Sequence, residues 1–73
     1  MARVKINHVP SENIRSISYD EDTLQLFVTY KYHNRTYVYY DVEPDVAYGF
    51  ETAESAGKYF NANVRGYYKY QEI

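Results

Sequence analysis

The chain has 73 residues, zero Cys, and eight Lys+Arg against ten Asp+Glu for a net charge of −2 and a pI near 5.5. With 45% hydrophobic and 25% charged residues it has a globular balance, which argues against a disordered tail. That composition excludes a disulfide framework, a thiol nucleophile and a Cys-ligated metal site, and no apolar run reaches the roughly 18 residues of a membrane span. Tyrosine is the outlier, at eleven residues beside three Phe and no Trp. Domains below about 80 residues usually lean on disulfides, a metal or a partner subunit. Self-association is the support that this composition leaves open. No signal peptide is expected, because Met1-Ala2-Arg3 leads straight into alternating sequence.

The chain reads as one unit over residues 1–73, with no repeat and no Pro/Gly linker. An extra strand is possible at Arg3–Val9. Ile14–Asp20, carrying Ile14, Ile17 and Tyr19, reads as a strand ending in the acidic turn Asp20-Glu21-Asp22. Thr23–Lys31 alternates, with Leu24, Leu26, Val28 and Tyr30 on one face. His33-Asn34 suits a hairpin tip, and Arg35–Tyr40 is a further strand rich in aromatic and branched residues. Pro44–Glu51 has the acids and the first-turn proline of a helix start, with Val46 and Phe50 facing the sheet. Ser55 is the N-cap expected for a second helix, Ala56–Val64, whose stripe is Tyr59, Phe60 and Val64. Arg65-Gly66 ends that helix, and Tyr67–Glu72 closes the chain as a strand. The expected fold is α+β: a small antiparallel sheet in the order β-β-β-α-α-β, with two short helices packed on one face.

Arg35–Tyr40 is aromatic or apolar on both sides, yet helices can cover one. The face left open is therefore expected to expose several aromatics, which points to an interface or a ligand surface.

Four segments resemble the KTSC domain, a short module found free-standing in bacteria and phages and at the C-terminus of some lysyl-tRNA synthetases. They are Ser11-Glu12-Asn13-Ile14 with Tyr19-Asp20, then Tyr37-Val38-Tyr39. Ala53-Glu54-Ser55-Ala56-Gly57-Lys58-Tyr59-Phe60-Asn61 and Tyr67-Tyr68-Lys69-Tyr70 follow. At the hairpin the family commonly has Gly and this chain has Asn34-Arg35. The resemblance implies RNA binding, from the synthetase context. It is also similar to phage nucleotide sponges, which sequester cyclic nucleotide signals of antiphage defence.

Charge is segregated along the chain. Residues 41–54 hold five acids and no base, whereas residues 58–70 hold Lys58, Arg65 and Lys69 and no acid. The basic stretch interleaves with aromatics, an arrangement that suits nucleotides: a cation meets phosphate and a ring stacks on the base. A plain solvated basic face is the competing reading. Long nucleic acids are usually met by a basic domain, and this chain is mildly acidic, so the charge favours a small ligand over RNA. Lys58, Arg65 and Lys69, with Arg35 in addition, are the phosphate candidates. Tyr37, Tyr39, Tyr59 and Tyr68 are the stacking candidates, and Asn61 could read a base edge or ribose. Ser55 could cap its helix and also present free backbone N–H groups to an anion. Gly57-Lys58 is not a Walker A loop, since Thr52 stands where that motif needs glycine.

No catalytic constellation and no cofactor or metal site is expected, because His8 and His33 lack a third ligand at a recognisable spacing. The residues together favour a non-enzymatic, homo-oligomeric protein, dimer or tetramer, cytoplasmic (host cytoplasm if phage-encoded) and without a membrane. It would capture a small phosphate-bearing nucleotide such as a cyclic dinucleotide. The alternatives are an RNA-binding module and an inhibitor that docks on a protein.

Overall fold

A computed structural model describes residues 3–6, 14–32 and 35–73. His8, His33, Asn34 and the segment Ser11-Glu12-Asn13 lie outside the described residues. Five strands form one antiparallel sheet in sequence order: β1 (Arg3–Ile6), β2 (Ile14–Asp20), β3 (Gln25–Tyr30), β4 (Thr36–Tyr39) and β5 (Tyr70–Glu72). Between β4 and β5 run helix α1 (Pro44–Tyr48), a 3₁₀ turn (Gly49–Glu51) and helix α2 (Ala56–Asn63). The α+β reading and its β-β-β-α-α-β order hold, with the additional N-terminal strand present as β1.

In β2 the apolar residues are spaced by three and then two, which a regular strand would send to opposite faces. A register irregularity between Ile14 and Ser16 absorbs the extra residue. Ile14, Ile17 and Tyr19 therefore all enter the core, each no more than 2% exposed. The turn after β2 is held by Asp20, itself buried. Its carboxylate accepts from the N–H groups of Asp22 (3.0 Å) and Thr23 (3.3 Å).

Leu24 does not extend β3. It sits in the turn at φ +58°, and Asp41 at the end of β4 adopts φ +57°. The two are tied together, the Val42 N–H donating to the Leu24 carbonyl at 2.9 Å. Leu24 still packs on the core, so its apolar character was informative although its strand assignment was not.

The register settles which face the aromatics take. Leu26 pairs with Tyr39 and Val28 with Tyr37, and paired residues share a face. Tyr37 and Tyr39 thus lie on the same side as Leu26 and Val28, the side that the helices cover. The opposite side carries Phe27 beside Val38, together with the contact of Tyr40 hydroxyl to Gln71 at 3.1 Å. The expectation that the helix-free face would expose the aromatics is corrected. The helices are too short to span the sheet, so the uncovered rings lie beside α2 on the helix side.

The helical part follows its sequence closely. Pro44 opens α1, and the Glu43 carbonyl accepts from Val46 and Ala47, both at 3.1 Å. Phe50, in the 3₁₀ turn, is fully buried. A Cβ at Gly49 would overlap the Tyr59 phenol, which is why this turn needs glycine where α1 meets α2. Ser55 caps α2, its Oγ accepting from the Lys58 N–H at 3.3 Å. Ala56, Phe60 and Val64 form the buried stripe at i, i+4, i+8. Gly66, at φ +85°, turns the chain out of the helix. The last strand begins at Tyr70 rather than Tyr67, because the Tyr67 N–H still bonds the Val64 carbonyl (3.1 Å) within that turn.

Candidate functional site

Where α2 stops short of the sheet's far end, β3, β4 and β5 leave a groove of about 490 Å³. Its aromatic wall is a closed circuit of ring contacts. Tyr30 meets Tyr37 at 5.5 Å, Tyr37 meets Tyr70 at 6.0 Å, and Tyr70 meets Tyr39 at 5.3 Å. Tyr39 then meets Phe60 at 5.4 Å, and Phe60 returns to Tyr30 at 6.2 Å. Four of the five contacts are edge-to-face, at interplanar angles of 71° to 88°, the arrangement that ring quadrupoles favour. The circuit runs from a buried floor to an open rim: Tyr39 is 5% exposed and Tyr70 is 62% exposed.

Helix α2 supplies the facing wall through Gly57 and Asn61, and Arg65 joins it from the turn just past the helix end. Gly57 and Asn61 are spaced i, i+4, so the helix period puts them on one face along the groove. Gly57 adds no side chain, which leaves room beside the rings. Burial pushes the Tyr39 phenol well above its ordinary range, and the neighbouring Tyr30 raises it further. Burial also raises Tyr30, while the positive charge of Arg65 pulls in the other direction and so lies within electrostatic reach of that phenol. Among the described residues, Arg65 is the cation of the lining and no carboxylate lines the groove. In a chain with ten acids, that local sign favours an anionic ligand over a cationic one on Coulombic grounds.

The KTSC domain profile matches residues 10–68, most of the chain. The chain belongs to the KTSC domain family. It also superposes on the crystal structure of a KTSC domain protein from Yersinia pestis, with a TM-score of 0.86 and 29% identity over 99% of each chain. No curated protein matches it.

In this KTSC domain the groove gathers four of the residues that the sequence singled out: Tyr37, Tyr39, Asn61 and Arg65. The other candidates lie elsewhere. Arg35 stands at the end of the hairpin and pairs with Glu72 at 3.5 Å, both partly exposed. Lys58 and Lys69 are exposed outside the groove lining. Ser55 serves the N-cap. Tyr59 belongs to the α1–α2 contact, its hydroxyl donating to the Val46 carbonyl at 2.8 Å and its ring against Phe50 at 4.6 Å. Tyr68 is half-buried against the core.

Three groove tyrosines were not singled out: Tyr30, Tyr32 and Tyr70. Tyr30 shares a face with Leu26 and Val28 and meets α2 through Phe60, which leaves its ring half-buried at the groove. The available signal was length. Eight residues of α2 rise about 12 Å, less than the roughly 20 Å spanned by the six residues of β3. Among the described residues no cluster of three or more His, Asp or Glu could hold a metal, and no helix is long and apolar enough to cross a membrane.

Proposed function

We propose that this KTSC domain is a binding module for a small phosphate-bearing nucleotide. The ligand is captured stoichiometrically and left chemically unchanged, as a sponge for a cyclic nucleotide signal would do. The observation that carries the reading is the closed circuit of five rings, with one cation and no carboxylate beside it. Base–aromatic stacking contributes about 1–3 kcal/mol per base, and Arg65 can take phosphate through a planar fork of donors. The groove volume falls in the range of about 300–1,000 Å³ common to small-molecule sites. A long strand fits less well, since it would need several cations in a row and, among the described residues, Arg65 is the one cation of the lining. A ligand with two phosphates would draw its second cation from another copy, so the reading includes a homo-oligomer, dimer or tetramer.

Calorimetric titration with cyclic mononucleotides and cyclic dinucleotides tests this directly, with short RNA titrated in parallel at two salt concentrations. The expected result is saturable nucleotide binding that Arg65→Ala reduces at least tenfold, with the ligand recovered intact by chromatography. RNA binding with a steep salt slope and no nucleotide response would overturn the reading in favour of an RNA module. Silence in both arms would move the groove to a protein partner.

A further inference from the structure

We infer that the nucleotide carries adenine and that Asn61 reads it. This rests on the nucleotide reading of the groove. Two asparagines lie on the last turns of α2, and they differ. Asn63 is committed, its Nδ2 donating to the Tyr59 carbonyl at 3.1 Å. Asn61 lines the groove, and its side-chain amide makes no hydrogen bond among the described residues. It sits one helical turn from Gly57 and four residues before Arg65, and shares the groove lining with the rings that would hold a base by stacking.

An asparagine amide presents one acceptor and a donor pair side by side. Adenine offers the complement along its N6/N7 edge, a donor next to an acceptor, whereas the same edge of guanine offers two acceptors. Guanine on that edge would set its O6 against the Asn61 Oδ1. Arg65 is the group that could satisfy guanine O6 and N7, but as the cation of the lining it is engaged with phosphate. A purine also offers a larger face to a single tyrosine ring than a pyrimidine does. Asn61 is thus a specificity residue, and Arg65 and the rings provide affinity without choosing the base.

The test compares cyclic di-AMP with cyclic di-GMP, and AMP with GMP, by calorimetry on the wild-type protein and on Asn61→Asp. Asn61 is exposed, so the substitution leaves the core untouched, and circular dichroism checks the fold. The wild type is expected to prefer the adenine member of each pair by about ten- to a hundredfold, the discrimination typical of one bidentate contact. Aspartate keeps the acceptors and loses the donors, which matches the N1–H and N2–H₂ groups of guanine. Asn61→Asp should therefore weaken both ligands through charge and swing the ratio toward guanine by at least tenfold. Equal binding of adenine and guanine members, or a ratio unmoved by Asn61→Asp, would overturn the inference and leave the nucleotide reading intact. If none of the four ligands binds, the nucleotide reading falls and the inference goes with it.

Discussion

Seven of the eleven tyrosines divide into two groups, and the fate of the hydroxyl separates them. On the α1 side, Tyr19 donates to the Val42 carbonyl, Tyr59 to the Val46 carbonyl and Tyr48 to the Glu21 carboxylate. Each pins a loop or helix end to the core, so the ring and the hydroxyl are both occupied. On the groove side, Tyr30, Tyr37, Tyr39 and Tyr70 contact one another through their rings. Among the described residues, none of their hydroxyls donates to a backbone carbonyl or a carboxylate. Tyrosines of the first kind hold the fold, and those of the second kind are available to a ligand. Seven of the tyrosines in the composition are thus two populations with different work.

The largest test of this division removes a ring at the centre of the first group. Phe50 is fully buried and packs edge-on against Tyr59, so Phe50→Ala should cost about 3–5 kcal/mol. A core this small rarely supplies more than about 3–5 kcal/mol in total, so urea titration should show the variant largely unfolded. Tyr70→Ala, at the exposed rim, should lower stability by less than about 1 kcal/mol and remove nucleotide binding. Comparable losses of stability from both variants would erase the distinction.

Removing single atoms sharpens it. Tyr19→Phe leaves the Val42 carbonyl without its buried donor, at a cost of about 1–3 kcal/mol. Gly49→Ala should fall in the same range of about 1–3 kcal/mol, because the new methyl displaces the Tyr59 phenol from its place over Gly49 and from the Val46 carbonyl. Neither change touches the groove. Thermal unfolding should report both losses, while the nucleotide affinity of the remaining folded protein stays as in the wild type.

High pH acts on both groups at once. Burial raises Tyr19, Tyr59, Tyr30 and Tyr39 above the ordinary phenol value, and the hydrogen bond to Glu21 takes Tyr48 up to about 12. A folded-state pKa above the unfolded one means that the neutral phenol is favoured by folding. That stability is fully present below the unfolded value near 10 and is lost as pH rises through the folded values. The protein should unfold cooperatively on alkaline titration above about pH 10. Tyrosinate absorbance should lag behind that of a denatured control. Coincident absorbance curves for folded and denatured chains would show that the phenols are not sheltered.

Much of the fold was legible because its signals are local. The N-cap at Ser55, the proline at the start of α1, the stop at Gly66 and the alternation through Leu26, Val28 and Tyr30 depend on a few neighbouring residues. Leu24 and Tyr67 misled for the same reason. Each is flanked by good strand formers, but a left-handed turn at Leu24 and a bonded turn at Tyr67 override propensity. The site was half legible. Tyr37, Tyr39, Asn61 and Arg65 were found through motif and charge pattern, whereas Lys58 and Lys69 belong to the same basic stretch and point elsewhere. Linear charge says which residues are near one another along the chain, not which share a helix face. Gly57 and Asn61 do share one, with Arg65 in the turn that follows, and Lys58 does not. Tyr30 and Tyr70 became site residues through strand register and the shortness of α2, which no single segment encodes.

The smallest expected effect is the most diagnostic. Tyr37 sits in the ring circuit, half-buried, and its hydroxyl has no hydrogen-bond partner among the described residues. Tyr37→Phe keeps the ring contacts to Tyr30 and Tyr70 and deletes one solvated oxygen, so stability should change by less than about 0.5 kcal/mol. Tyr19→Phe deletes the same atom from the same residue type in the other group and should cost several times more. If stacking is what Tyr37 offers, nucleotide affinity should survive Tyr37→Phe within a factor of about three and fall tenfold or more in Tyr37→Ala, since stacking is worth about 1–3 kcal/mol per base. Equal losses of affinity in both variants would assign the contact to the hydroxyl. A stability loss in Tyr37→Phe matching that of Tyr19→Phe would place Tyr37 among the tyrosines that hold the fold.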